Sequence, residues 1–181
     1  RKTTGTGTGL RVIEPDFSMS RHPAAVDGTY ANRFVHCETS QLIIGPHVID
    51  TNHHVRTVES LTEVRLCGTA RHLTEPERLV YMLGMEGELF ELDMKTLEAR
   101  RIADLIAELG TQKEGQTHFK DCYTNCGRLV VVNNEYDAKG FEKRGSQGLL
   151  ADFDGSTWRV VRRAPYTAVN GLGPRFGNTI F

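Results

Sequence analysis

Short apolar segments alternate with short polar turns along the chain from residue 33 onwards. The segments have strand length, and the turns between them contain Gly, Pro, Asn or Asp, which is typical of β-structure. Asp154-Gly155, between two such segments, is a strong hairpin signal. The pattern predicts strands over residues 33–38, 41–45, 47–51, 55–59, 65–73, 78–83, 88–93, 98–103, 117–124, 128–133, 148–153 and 158–163.

The predicted strands fall into three groups of four. After a first residue that is Gln or Arg, the second strand of each group is an uninterrupted apolar run, within residues 41–45, 78–82 and 128–132. Such a run fits a strand that is buried on both faces. Four-stranded antiparallel units stacked face to face are the blades of a β-propeller, whereas a sandwich or small barrel would give strands of more even amphipathicity. We therefore predict an all-β fold, a partial β-propeller of about three blades, with the first strand of another blade at residues 177–181.

The remaining segments divide the chain into two regions. Residues 1–32 are predicted to be an irregular N-terminal lead-in, and residues 33–181 to be the blades of an incomplete ring. Within the blades, residues 102–110 have apolar positions at helical spacing and end on Gly110, a common helix C-cap. They predict one short helix.

An incomplete ring of blades has a consequence for assembly. Three blades cannot close a circle, so each end would expose an apolar blade face, and large exposed apolar faces mark interfaces. We expect them to be covered by further blades on a companion chain or by a second copy of this chain. The chain itself is then expected to be a fragment or one part of a nicked protein.

Charge and cysteine content narrow the class of protein. A formal net charge of −1 does not predict a nucleic-acid binder, and no apolar run is long enough to predict a membrane span. The sequence contains four cysteines, Cys37, Cys67, Cys122 and Cys126. We expect them to be buried thiols; the two alternatives are one disulfide and a metal site. The sequence does not identify the cellular compartment, and both a periplasmic and a secreted location are compatible with it. No cofactor is predicted.

Four segments of the chain together resemble a group of largely uncharacterised bacterial β-propeller proteins, broadly similar to sialidase-like and polysaccharide-lyase propellers. These segments cover residues 41–50, 70–76, 118–121 together with 127–134, and 148–158. The resemblance implies a propeller with more blades. It says little about function, because proteins that share one fold can have many different activities. The Asp-box of sialidase-like propellers is incomplete here, since residues 151–158 keep Gly155 and Thr157-Trp158 but lack the box's Ser and shift its Asp by one position.

Polar residues on the predicted innermost strands are the candidates for a functional site. Ligands of propellers usually bind at one mouth of the central channel, where innermost strands from successive blades meet. The predicted catalytic residues are His36, His72, His118 and Tyr123, and the predicted substrate-binding residues are Arg33, Arg71 and Lys120. For each histidine, the alternative is a buried side chain that hydrogen-bonds to the backbone.

A pocket that combines cations with His or Tyr suits an anionic sugar. Arg and Lys pair with a carboxylate, while His or Tyr can move a proton. We therefore predict a carbohydrate-active propeller, a polysaccharide lyase or glycoside hydrolase, that acts on an acidic oligosaccharide at the central funnel. Hydrolysis would need two nearby carboxylates, and Glu38, Asp121 and Asp152 are the candidates. The alternative is a non-catalytic propeller that binds a glycan or a protein partner.

Overall fold

A computed structural model describes the backbone over residues 11–13, 19–21, 33–109, 117–135, 148–164, 175–176 and 179–180. Side chains are described over residues 36–109, 119–124, 126–133 and 151–160. The predicted lead-in lies largely outside these ranges. Within it, β1 (Arg11–Ile13) and β2 (Met19–Arg21) pair as antiparallel strands.

Three four-stranded antiparallel sheets form the described fold, and each is a simple meander in chain order. The first blade contains β3 (Arg33–His36), β4 (Gln41–Ile44), β5 (His47–Ile49) and β6 (Val55–Thr57). The second contains β7 (Leu66–Arg71), β8 (Leu79–Gly84), β9 (Glu88–Asp93) and β10 (Ala99–Asp104). The third contains β11 (Thr117–Asn125), β12 (Arg128–Glu135), β13 (Gly148–Phe153) and β14 (Trp158–Ala164).

Each of the twelve predicted strands corresponds to one strand of a blade. The first blade is followed by a short 3-10 helix, Glu59–Leu61, so its last strand is shorter than predicted. Near the end of the described chain, β15 (Arg175–Phe176) pairs with β16 (Thr179–Ile180), and β16 falls within the predicted strand 177–181. The remaining residues of that predicted strand lie outside the described ranges.

The second blade packs between the other two, because β8 is apolar on both faces. Val80 and Met82 belong to a buried cluster shared with the first blade, and Tyr81 and Leu83 belong to a second cluster shared with the third blade. Alternate residues of a strand point to opposite faces, so an uninterrupted apolar run supplies both cores. This confirms the interpretation of the second strands as buried on both sides.

The first strands of the second and third blades, β7 and β11, lie side by side and run in the same direction. Gly68 is so close to β11 that an ideal Cβ at this position would be 2.6 Å from the backbone N of Cys122. Three residues further along β7, the carbonyl of Arg71 accepts a hydrogen bond of 2.6 Å from Oγ1 of Thr124. Parallel innermost strands of neighbouring sheets, with no closed barrel in the described ranges, are the arrangement of a partial β-propeller.

The predicted helix is shorter than residues 102–110. The helix α1 spans Leu105–Leu109, because Ala103 and Asp104 pair with β9 and extend β10. A bulge between Arg101 and Ala103 brings Ile102 and Ala103 into contact with the core of the second and third blades. The prediction was wrong for the first turn, since strand pairing outweighed helical spacing. Gly110 lies outside the described residues.

The turn between the third and fourth strands has a common feature in all three blades. Asp50, Asp93 and Asp154 each accept hydrogen bonds from backbone N–H groups of the turn that follows, at 2.8–3.2 Å. An aspartate that accepts such bonds stabilises a tight turn. No helix within the described ranges is long and apolar enough to span a membrane.

Candidate functional site

The predicted site residues do not collect at one end of the innermost strands. His36, Arg71, His72 and Tyr123 lie at or near the C-terminal ends of β3, β7 and β11, whereas Arg33 and His118 lie at the N-terminal ends of β3 and β11. Lys120 lies between them at a bulge in β11 and is half-buried. The side chains of Arg33 and His118 are outside the described ranges. The backbone therefore divides the predicted set between two ends of the strands.

His36 links the first blade to the second. Its side chain is fully buried, with Nε2 2.8 Å from the carbonyl oxygen of Pro76 and Nδ1 2.7 Å from Oγ1 of Thr39. Beside it, Arg71 of the second blade forms an ion pair with Glu38 of the first. Both ring nitrogens of His36 thus have partners within the protein, as expected for a buried structural histidine.

His72 is held in one orientation by hydrogen bonds on both sides of its ring. Nδ1 accepts bonds from the backbone N–H groups of Glu75 (3.0 Å) and Thr74 (3.3 Å). Nε2 therefore carries the proton and donates to Oε1 of Glu91 at 3.1 Å. The ring also packs on Tyr81, with 4.5 Å between ring centroids. His72 consequently orients the Glu91 carboxylate.

A cleft of about 480 Å³ opens beside this group, between the outer strands of the second and third blades. Its volume is within the range of about 300–1,000 Å³ that is typical of small-molecule sites, but its lining is more polar than the mainly apolar lining of such sites. Tyr81, Leu89, Ile102 and Ala103 of the second blade contribute to its lining. Its polar lining includes His72, Glu91, Arg100, Arg101, Glu108 and Ser156.

The third blade supplies an aromatic wall to the cleft. Phe153 ends β13 and Trp158 begins β14, and the two rings stack with centroids 4.9 Å apart and an interplanar angle of 24°. Both side chains are half-buried and pack against the core shared with the second blade. Asp154 caps the turn that joins them. Because a capped hairpin places both rings, the aromatic wall has a fixed position.

Glu91 and Arg100 form the charged centre of the cleft. Nη2 of Arg100 donates to Oε2 of Glu91 at 2.5 Å, and 77% of the Arg100 side chain is exposed against 17% of Glu91. Burial by itself would raise the pKa of Glu91, but the hydrogen bonds from Arg100 and His72 lower it below its ordinary value. Glu91 is therefore ionised near neutral pH and accepts hydrogen bonds.

Tyr81 does not supply an anion at the same site. Burial raises the pKa of its phenol, a hydrogen bond with the backbone of Leu73 opposes this, and the nearby Glu91 raises the pKa further. The net shift is upward, so the phenol keeps its proton at neutral pH. Tyr81 supports the ring of His72 and forms part of the cleft lining.

The cysteines do not form a site with one another among the described residues. None of the four takes part in a disulfide in the described part of the chain; Cys122 is buried, Cys67 is half-buried, and Cys37 and Cys126 are exposed. The predicted burial therefore holds for Cys122 and partly for Cys67, whereas exposure of the other two corrects the prediction. Within the described side chains, no group of three or more His, Cys, Asp or Glu residues could hold a metal ion.

Several residues of the cleft were missed by sequence reasoning, which looked for site residues mainly on the innermost strands. Glu91 interrupts the apolar run of β9, and this polar position between Phe90 and Leu92 was its only signal. Arg100 lies directly opposite Glu91 in the register of β9 and β10. Trp158 was noted only as part of the incomplete Asp-box. The structure adds that it also lines the cleft.

Comparison of the chain with protein-family models found no match, and comparison with curated protein sequences found none either. The cleft itself therefore carries the functional argument.

Proposed function

We propose that this protein is a carbohydrate-binding module of the propeller type, and that the cleft between its second and third blades binds a neutral sugar without altering it. The observation that supports this most is the composition of the cleft. A stacked aromatic pair, Phe153 and Trp158, forms one wall, and an oriented carboxylate–guanidinium pair, Glu91 and Arg100, belongs to the opposite blade.

These two features match the two kinds of surface on a sugar ring. Its C–H faces are weakly apolar and pack on aromatic rings, which offer a large apolar area. Its hydroxyls both donate and accept hydrogen bonds, and neighbouring hydroxyls suit an acceptor next to a donor. Glu91 offers remaining lone pairs and Arg100 remaining N–H groups. The pair is therefore able to hold adjacent hydroxyls of one ring.

Charge in the cleft favours a neutral ligand over an acidic one. Arg100 is paired with Glu91, and Arg101 is paired with Asp104 at 3.1 Å. Glu108 adds a further negative charge. An anionic sugar would need a cation that is not already paired with a carboxylate. The cleft is therefore less favourable for the acidic glycan predicted from the sequence than for a neutral sugar.

The state of the polar groups favours binding over catalysis at this site. A general acid or base must be able to exchange a proton near the working pH. The pKa of Glu91 is lowered and that of Tyr81 is raised, and both ring nitrogens of His72 are engaged. A lyase or hydrolase at the central funnel stays a prediction; among its predicted residues, His72 also lines the cleft.

A glycan array tests the proposal. The purified chain is expected to bind neutral oligosaccharides, and Arg100→Met to weaken that binding about tenfold or more, because a hydrogen bond to a charged group contributes about 1.5–3 kcal/mol. Arg56→Met is the matched control, since Arg56 is exposed on the first blade. Binding restricted to uronate oligosaccharides would favour the acidic-glycan prediction. Failure to bind any glycan, or equal binding by Arg100→Met, would refute the proposal.

A further inference from the structure

A second hollow adjoins the cleft on the second blade. It has a volume of about 270 Å³ and is lined by residues from the start of β8, the end of β9 and the segment that enters β10. The two spaces share two residues, Glu91 and Arg100. The ion pair at the centre of the proposed sugar site is therefore also the boundary of a neighbouring space.

The two spaces follow one strand. Glu98 and Arg100 line the second hollow, and Arg100, Ile102 and Ala103 line the first, so the combined lining follows the chain from residue 98 to residue 103. With a rise of about 3.3 Å per residue, this part of the strand covers about 16 Å. β10 is the last strand in the order of its sheet, so a long ligand can lie along it.

The second hollow has hydrogen-bonding groups of both kinds. Nε of Arg78 donates to Oδ2 of Asp93 at 2.8 Å, which fixes the guanidinium at the side of the hollow. Glu75 and Glu98 are exposed carboxylates in its lining, and Leu79 supplies an apolar surface. The hollow thus repeats, on a smaller scale, the donor and acceptor chemistry of the cleft.

We infer that the two spaces form one continuous groove along β10, and that the ligand is a linear neutral oligosaccharide rather than a single sugar. This inference rests on the proposed carbohydrate-binding function. One unit packs on Trp158 and places its hydroxyls at Glu91 and Arg100, and further units lie along β10 into the second hollow. Affinity then increases with chain length until the groove is filled.

Titration calorimetry with oligosaccharide length series tests the inference. The probes are neutral homo-oligosaccharides of one to six glucose, mannose, xylose or N-acetylglucosamine units. In at least one series, we expect the affinity for the tetrasaccharide to exceed that for the monosaccharide about tenfold or more. Glu98→Trp, which fills the second hollow, is expected to abolish this gain.

Glu77→Trp is the matched control, because Glu77 is exposed on the same blade and lines neither space. A monosaccharide that binds as tightly as its tetrasaccharide, or a length gain that persists in Glu98→Trp, would overturn the continuous groove but leave the proposed function intact. If no series binds, the proposed function itself is wrong, and the groove inference fails with it. The two failures are thus distinguishable.

Discussion

Replacing Gly68 by alanine tests the packing between the second and third blades. Gly68 lies on β7 where this strand touches β11, and an ideal Cβ there would be 2.6 Å from the backbone N of Cys122 and 2.8 Å from its Sγ. The closest atom belongs to the backbone, so a side-chain rotation cannot relieve the contact. The two innermost strands must move apart.

The size of the effect follows from two opposing terms. Ordinary contact with a Cβ begins at about 3.4 Å, so the strands must separate by about 0.8 Å, and overpacking of this kind costs about 1–3 kcal/mol. Against this, Gly68 does not have a left-handed backbone conformation, and a compatible Gly→Ala substitution stabilises a protein by about 0.4–1 kcal/mol through the unfolded state. We expect a net loss of about 1–2 kcal/mol in the free energy of unfolding.

Urea-induced unfolding, followed by circular dichroism, measures this difference. Gly84→Ala is the matched control, because Gly84 is in the same blade and its closest neighbour is the flexible end of the Glu88 side chain, so a change below about 1 kcal/mol is expected. The sign of the change in the free energy of unfolding tests the described contact between the two strands. If Gly68→Ala is as stable as the wild type or more stable, β7 and β11 are not in contact at this point, and the blade packing described above is wrong.

Two further predictions concern ionisable groups. In the native protein at about pH 8, a disulfide reagent is expected to modify Cys37 and Cys126 rapidly and Cys67 and Cys122 only after unfolding, because burial raises the pKa of the last two thiols; rapid reaction of all four would contradict this. Glu91 has a folded-state pKa below its ordinary value of 4.5, so its ionised form adds stability above that pH, which is lost as the pH falls through the folded-state pKa. The difference in unfolding free energy between wild type and Glu91→Gln should therefore shrink from pH 7 to about pH 3.5, and an unchanged difference would argue against the Glu91 ion pair.

The strands and their grouping could be predicted because local pattern and tertiary packing agree. In β8, every position from Val80 to Leu83 is apolar, and the structure buries each of them, on one face or the other. The exception is the segment from Ile102 to Asp104, where helical spacing and strand pairing conflict. Pairing with β9 determines the outcome there, and no local pattern records which partner strand will be available.

The candidate site could not be predicted, because it depends on how two blades pack against each other. Glu91 and Trp158 are far apart in sequence and belong to different sheets, and the packing of the second blade against the third brings them to one cleft. Phe153 and Trp158, at the two ends of one hairpin, supply the aromatic wall of this cleft.

The cleft lies directly beside the core that the second and third blades share. For this reason, effects on stability and on binding can be separated at some positions of the site and not at others. Tyr81 and Leu89 line the cleft and also belong to the core shared by the second and third blades, so replacing either would loosen the packing that positions the aromatic wall. Arg100 and Glu98 are exposed and contribute no surface to that core. Substitutions at these two positions therefore leave that core intact, but Arg100→Met also removes the ion pair with Glu91, so its stability is measured together with its binding. The same loss of binding in a Tyr81 variant would not distinguish a lost contact from a displaced blade.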